Sequence, residues 1–341
     1  MHPFDAHAAA TTTCFACPKL CRFACPVAEA EARESVTPWG LMTRIEHVRQ
    51  GRVPLDAATA QLWEHCTGCD RCRSNCRHDV SVSETVFTAR AEAVKAGLSS
   101  AALRAWAEDA PAENAALRAV PEGGELLILP GHADAESIAA SRRLLAAAGL
   151  ERIGRPVRGV LTSGVRWRAA GEPERWDSER ARVERCLEGV RLLICLEPAD
   201  AAALRPLAPD VVRTLPEVLY GRRTSLLPRL RRVHAGPVLY LDDCQLGRGQ
   251  GIHTEPRVLL APVVGSVEEA TMTRDQGGCC GAGAGFARTQ PEAAARVARE
   301  SAADVPDVPI VMASPVCAAH LRASLGGRTV EDWAVLLSRA L

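Results

Sequence analysis

Fourteen cysteines stand in this 341-residue chain, and they are far from evenly spread. Four fall in Cys14-x2-Cys17-x3-Cys21-x3-Cys25, which Pro26 follows, and four in Cys66-x2-Cys69-x2-Cys72-x3-Cys76. A 4Fe-4S cubane needs four converging thiolates, three from one tight loop and a fourth from elsewhere. Two runs of four therefore predict two cubanes before residue 80. Zinc also accepts thiolates at C-x2-C spacing, but its sites pair two short hooks; two full runs exceed that need.

Where two such runs serve two cubanes, the fourth cysteine of each ligates the other cluster. On that logic Cys14, Cys17, Cys21 and Cys76 hold one cluster, and Cys66, Cys69, Cys72 and Cys25 the second. Two departures from the usual pattern remove no ligand: three residues precede Cys21, and Arg77 rather than proline follows Cys76. His78 reads as an exposed polar neighbour. Four further cysteines lie late in the chain, Cys244, the adjacent pair Cys279-Cys280 and Cys317. Glycine accepts positive φ and adds no bulk, so Gly278-Cys279-Cys280-Gly281-Ala282-Gly283 would let backbone approach a metal group closely. A vicinal disulfide is strained, and the stretch lacks the lysine of a phosphate-binding loop. Cluster ligation or thiol redox chemistry is the reading for this third site. Cys186 and Cys195 stand apart and read as small hydrophobes.

These residues need elements to position them. Residues 1–105 are helical in pattern: Arg33 to Gly40 turns into a helix on which Leu41, Ile45 and Val48 recur, and Glu84 to Ala96 gives a second, closed by Gly97. A linker at 106–124 ends in Pro121-Glu122-Gly123-Gly124. Beyond it, short apolar runs at 125–129, 159–161, 190–196, 237–241, 258–264 and 308–313 read as strands separated by helices, such as 135–148. Strands alternating with helices predict parallel sheets. Residues 194–205 and 311–322 align with a Pro, two Ala, a Leu and an Arg in register, and the same offset of 117 sets Thr162-Ser163-Gly164 against Cys279-Cys280-Gly281. The fold class expected is an N-terminal all-α module followed by two duplicated α/β domains, 125–235 and 236–341.

Charge narrows the partners. Lys plus Arg equals Asp plus Glu, 41 against 41, which offers nucleic acid or an anionic membrane no footprint. Neither a transmembrane segment nor a signal peptide is legible, so a cytoplasmic location is expected, where thiols stay reduced. His47, His65, His234 and His253 have no matching Asp or Ser pattern, and no acid–base or nucleophilic constellation emerges.

The two runs, with Thr37-Pro38-Trp39-Gly40 between them and Arg90-x-Glu92-x-Val94-x-x-Gly97 after them, resemble the helical two-cluster ferredoxin module. That module precedes cysteine-rich CCG domains in iron-sulfur oxidoreductase subunits such as those of anaerobic glycerol-3-phosphate dehydrogenase, lactate and glycolate oxidase and heterodisulfide reductase. Asp243-Cys244-Gln245-Leu246-Gly247-Arg248 is similar to that family's D-P-C-H-L-G-R, with Asp243 for Pro and Gln245 for His. Ser314-Pro315-Val316-Cys317 stands at its C-P-x-C, so four of the five cysteines of a full motif are kept, and Ser314 or His320 would have to complete the site. In the first copy His132, Thr162-Ser163, Glu197 and Asp200 occupy the motif positions, which implies a domain kept for structure or docking.

The resemblance implies an electron-transfer subunit that passes single electrons from a flavin-dependent dehydrogenase subunit to an acceptor. A membrane quinone-linked acceptor would bring the chain to the inner face of the membrane through a partner. Two rivals have different signatures. A heterodisulfide or thiol reductase would act through the C-terminal cysteines, and a non-redox scaffold or sensor would hold clusters without turnover.

Overall fold

The computed structural model describes residues 3–111, 114–157, 159–303 and 305–341. It divides into two compact units, one of Met1–Asp109, Arg166–Trp176 and Gly278–Ala303, the other of Ala110–Val165, Asp177–Gly277 and Asp304–Leu341.

In the first unit the elements that precede Asp109 are α-helices and 3-10 turns, among them Ala8–Ala16, Pro26–Glu31, Pro38–Arg49, Ala57–Trp63, Val82–Lys95 and Ala101–Glu108. Their apolar stripes meet around Trp63, Met42, Ile45 and Val86, all fully buried, with Phe4 edge-on to Trp63 at 5.9 Å. The turn expected before Leu41 is a cap. Thr37 Oγ1 accepts from Gly40 N at 2.9 Å and donates to Glu34 O at 2.7 Å, and Pro38 supplies the first helical position. Thr37→Ala should therefore destabilise this unit by about 1 kcal/mol, read as a lower urea midpoint with unchanged slope. Glu46 ties the Cys14-bearing helix to Pro38–Arg49. It accepts from Arg49, from Thr11 Oγ1 at 2.6 Å and from Gln50, and the Arg49 guanidinium above all holds its carboxyl down at about 2.

Two segments from much later in the chain complete this unit, and glycine admits both. A Cβ at Gly171 (φ +88°) would stand 2.4 Å from the Arg90 carbonyl carbon, and one at Gly283 would stand 2.3 Å from Thr67 O. The chain can lie this close to the helix Val82–Lys95 and to Thr67 of the second cysteine run only where no side chain intervenes.

The second unit holds two sheets of parallel strands. Strands β1 (Leu126–Leu129), β2 (Leu192–Cys195) and β3 (Val212–Thr214) run in that order; β4 (Pro237–Tyr240), β5 (Ser266–Glu269), β6 (Ile310–Met312) and β7 (Val330–Asp332) run β5-β4-β6-β7. Register places Leu127 beside Leu193 and Tyr240 beside Val311. Strands as apolar as Leu-Leu-Ile-Leu and Ile-Val-Met have both faces covered, as parallel sheets require. Helices Ala135–Ala147, Leu215–Gly221, Thr254–Leu260 and Trp333–Arg339 supply the cover through Leu144, Leu219, Leu259 and Trp333, whose Nε1 donates to Pro256 O at 3.0 Å.

Two expected strands are absent from these sheets. Residues 258–260 end the helix Thr254–Leu260 and 261–264 form the turn after it, with the strand following at Ser266, because Leu259, Leu260, Val263 and Val264 bury at helical spacing. Gly159-Val160-Leu161 joins no ladder: Leu161 O accepts from Gly131 N, while Gly154 bridges Leu127 beside β1.

Candidate metal centre

The first cysteine run is short turns joined end to end. Cys14 lies in the helix Ala8–Ala16, Cys17 ends it in extended conformation, Lys19 turns left-handed at φ 68°, and Cys21 follows in the 3-10 turn Leu20–Ala24. Cys25 caps the helix Pro26–Glu31, whose proline at the first position keeps that start free of an unmet N–H. In the second run Gly68 (φ 68°) and Asp70 (φ 53°) reverse the backbone before the short helix Arg71–Ser74.

The thiols fall into two groups. Cys14, Cys17, Cys21 and Cys76 line a cavity of about 200 Å³ together with Trp39 and Val80, and Cys72, which also neighbours Cys69, Cys66 and Cys25, lines it too. Burial pushes the Cys14 thiol up to about 12, and the charges of Cys21, Cys76 and Cys17 add to the rise. Cys21 rises through burial, then through Cys17 and Cys76. The second group is Cys25, Cys66, Cys69 and Cys72. Burial raises Cys25, with Cys69 and Cys66 adding; Cys66 is pushed up to about 12, and Cys72 rises well above the thiol range through burial and then Cys69, Asp70, Cys66 and Cys25. Thiols packed so that each opposes its neighbours' ionisation are deprotonated only by a strongly positive group in their midst. Soft, crowded, partly dry sulfurs in fours are the donor set of a 4Fe-4S cluster, so the residues present fit that group.

Behind the second group sits Arg90, 1% exposed. Its Nε and Nη2 donate to Trp63 O at 3.0 and 2.8 Å, Nη2 also to Cys66 O at 2.7 Å, and Nη1 to Ala169 O at 2.6 Å and Ala284 O at 2.9 Å. One guanidinium thus pins the start of the cysteine loop to both late segments of its unit. His65, read from sequence as a scattered residue, is buried and bonded to Glu31 at 2.6 Å; His78 is exposed as expected.

The C-terminal cysteines are divided between the units. Cys279 and Cys280 belong to the first, both buried, with Gly281 N donating to Cys279 Sγ and Ala282 N to Cys280 Sγ, each at 3.4 Å. Cys279 Sγ lies 3.6 Å from Thr67 Oγ1. Cys244 and Cys317 belong to the second unit, at the carboxyl ends of β4 and β6, where parallel sheets carry their sites. Among the described residues, no group of three or more His, Cys, Asp and Glu is spaced to hold a single metal ion.

Around Cys317 stand two carboxylates whose part in the site sequence reasoning missed. Asp243, in the position of the resembled motif's proline, accepts from Gln245 N and Leu246 N at 2.9 and 2.8 Å, and Cys317 Sγ reaches its other oxygen at 3.3 Å. Burial raises its pKa. Ser314 caps the helix Pro315–Ser324, accepting from Cys317 N, and its Oγ donates to Glu197 Oε1 at 2.7 Å. Glu197 is pushed up to about 8, chiefly by burial and then by Asp243. Its Oε2 is buried without a hydrogen-bond partner. Nearby in sequence, Asp200 accepts from Thr162 Oγ1, Ser163 N and Ser163 Oγ at 2.9, 2.7 and 2.5 Å. Thr162, Ser163 and Asp200 therefore satisfy one another by hydrogen bonds. The detectable signal was a run of acids and hydroxyls at motif positions.

Residues 10–80 match the 4Fe-4S dicluster domain, and residues 238–322 match the cysteine-rich domain named CCG. One subunit of the fumarate reductase (CoM/CoB) of Methanothermobacter marburgensis is 33% identical over 102 residues, 29% of this chain and 20% of that protein. An uncharacterized iron-sulfur protein of Methanocaldococcus jannaschii is 32% identical over 91 residues, 26% of this chain and 18% of that one. The chain thus spans about a fifth of the length of these curated relatives. No solved structure matches. Among the described residues, no helix is long and apolar enough to cross a membrane. The chain is an iron-sulfur protein of the electron-transport kind, with a dicluster domain and a cysteine-rich domain.

Proposed function

We propose that this chain is the electron-transfer subunit of a multisubunit oxidoreductase, relaying single electrons between a flavin-dependent dehydrogenase subunit and an acceptor beyond the cysteine-rich half. The observation that carries the reading is the sorting of eight thiols into two crowded sets, Cys14, Cys17, Cys21 and Cys76 against Cys25, Cys66, Cys69 and Cys72. When bound, 4Fe-4S clusters supply reversible one-electron storage. The chain's own residues do the rest: the capped helices fix where the sulfurs point, Trp39 and Val80 exclude water from the first set, and Arg90 locks the loop of the second. Covalent neighbours also link the sets, since three residues separate Cys21 from Cys25 and three separate Cys72 from Cys76. A cytoplasmic location, with any membrane contact made through a partner, accords with the relay; so does the kinship with one relative that is a reductase subunit.

We also read the two sheets as copies of one domain. The order β1-β2-β3 has its counterpart in β4-β6-β7, and Glu197 and Ser314, 117 residues apart, each cap a helix that opens with proline. In this reading the first copy serves docking, and the second keeps Cys244 and Cys317 at the carboxyl ends of β4 and β6.

Anaerobic purification with iron and acid-labile sulfide counts tests the relay. About eight irons are expected for two cubanes, with both clusters reducible in one-electron steps and no turnover of disulfide substrates. Zinc in place of iron would end the reading; disulfide reduction lost on removing Cys279 and Cys280 would favour the thiol-reductase rival.

A further inference from the structure

Arg90 has every N–H satisfied, and its charge meets the Phe87 ring at 5.3 Å but no anion. Its five hydrogen bonds all go to backbone carbonyls, which is the full donor inventory of a guanidinium. Among the described residues no carboxylate lies within ion-pair distance of it. Glu64, the acid that feels its charge, is committed to Ser100 N and Ser100 Oγ at 3.0 and 2.8 Å. A buried cation with no anion is costly to keep. The anion next to it is one the cysteines would build, because a cubane held by four thiolates is itself negatively charged. Cys66 O is 2.7 Å from the guanidinium, and the Cys66 thiol and Arg90 interact electrostatically.

Among the described residues the other cysteine set has no buried arginine of this kind. Lys19 is paired with Glu34 and is 37% exposed, Arg77 is exposed, and charges of that kind are screened by water and salt.

Resting on the reading of two cubanes above, we infer that Arg90 is the fixed counter-charge of the cluster held by Cys25, Cys66, Cys69 and Cys72, and that it raises the reduction potential of that cluster alone. Burial by itself disfavours the extra electron; the guanidinium favours it. A neutral clamp of the same shape would hold the loop without this selectivity.

Arg90→Lys keeps the charge and loses the fork, whereas Arg90→Gln keeps an amide donor and loses the charge. Both should be made in the full chain, with the two midpoint potentials followed by anaerobic EPR titration and iron counted in each sample. For Arg90→Gln the expected result is at least a tenfold fall in the reduction equilibrium of one cluster, about 59 mV for one electron, with the other unmoved. Arg90→Lys should restore most of it, and the cluster that moves should be the one lost in Cys69→Ala. If Arg90→Gln fails to assemble, Arg90→Lys decides: a parent-like potential supports the inference and a tenfold fall overturns it. Eight irons with neither potential moved, or both moved together, overturns it while leaving the relay intact. A parent without a cluster at the second set removes both.

Discussion

Cys25→Ala is expected to abolish the same cluster as Cys69→Ala, although in sequence Cys25 belongs with Cys21. Its neighbours in space are Cys69 and Cys66, whose charges add to the burial that raises its thiol, whereas Cys14 feels Cys21, Cys76 and Cys17. The geometry follows from the proline after it. Pro26 starts the helix Pro26–Glu31, so Cys25 must be an extended cap, and the chain leaves the first loop there. Each single variant should lose about four of about eight irons. The double variant Cys25→Ala/Cys69→Ala should lose no more than either single, while Cys25→Ala/Cys17→Ala should lose nearly all. Iron and sulfide counts with EPR on the four proteins read this directly. Should Cys25→Ala pair instead with Cys17→Ala, each run serves its own cluster and the crossed assignment is wrong.

Much of this was legible in the cysteine spacing because a cubane dictates local geometry: three ligands within one loop leave the sequence little freedom. The parallel strands were legible for a similar reason, since Leu126–Leu129 and Ile310–Met312 are apolar at every position. Helix and strand could not be told apart at 258–264, where Leu259, Leu260, Val263 and Val264 suit either period until packing chooses. The return of Arg166–Trp176 and Gly278–Ala303 to the first unit had no periodic signal at all. What enables it is absence of side chain at Gly171 and Gly283 and one arginine whose partners are carbonyls, and carbonyls are invisible in a sequence. The acid at Glu197 was visible only as a departure from a motif. Its consequence depends on how deeply it is buried.

That burial makes Glu197 the source of a pH-dependent stability change. The folded carboxyl titrates at about 8, against 4.5 ordinarily, because burial and the nearby Asp243 oppose its charge. Below the ordinary value both folded and unfolded chains hold the proton, and nothing is lost. Between pH 4.5 and about 8 the unfolded chain releases it while the folded chain keeps it, so stability falls by about 1.4 kcal/mol per pH unit. Above that window the loss is constant. Glu197→Gln removes the titration but keeps an acceptor for the Ser314 hydroxyl. Its second polar atom would take the place of Oε2, which lacks a partner already. The variant should match the parent near pH 4.5 and exceed it by roughly 3–5 kcal/mol at pH 8. Amide hydrogen exchange of β2 and β6, compared between the two proteins at each pH, isolates the effect to the unit concerned. A gap of the same size at both pH values would mean that Glu197 is charged throughout, so the Ser314 hydroxyl would be tied to a full anion. An opening gap would mean that Glu197 is a neutral acid at a position where the resembled motif has a cysteine.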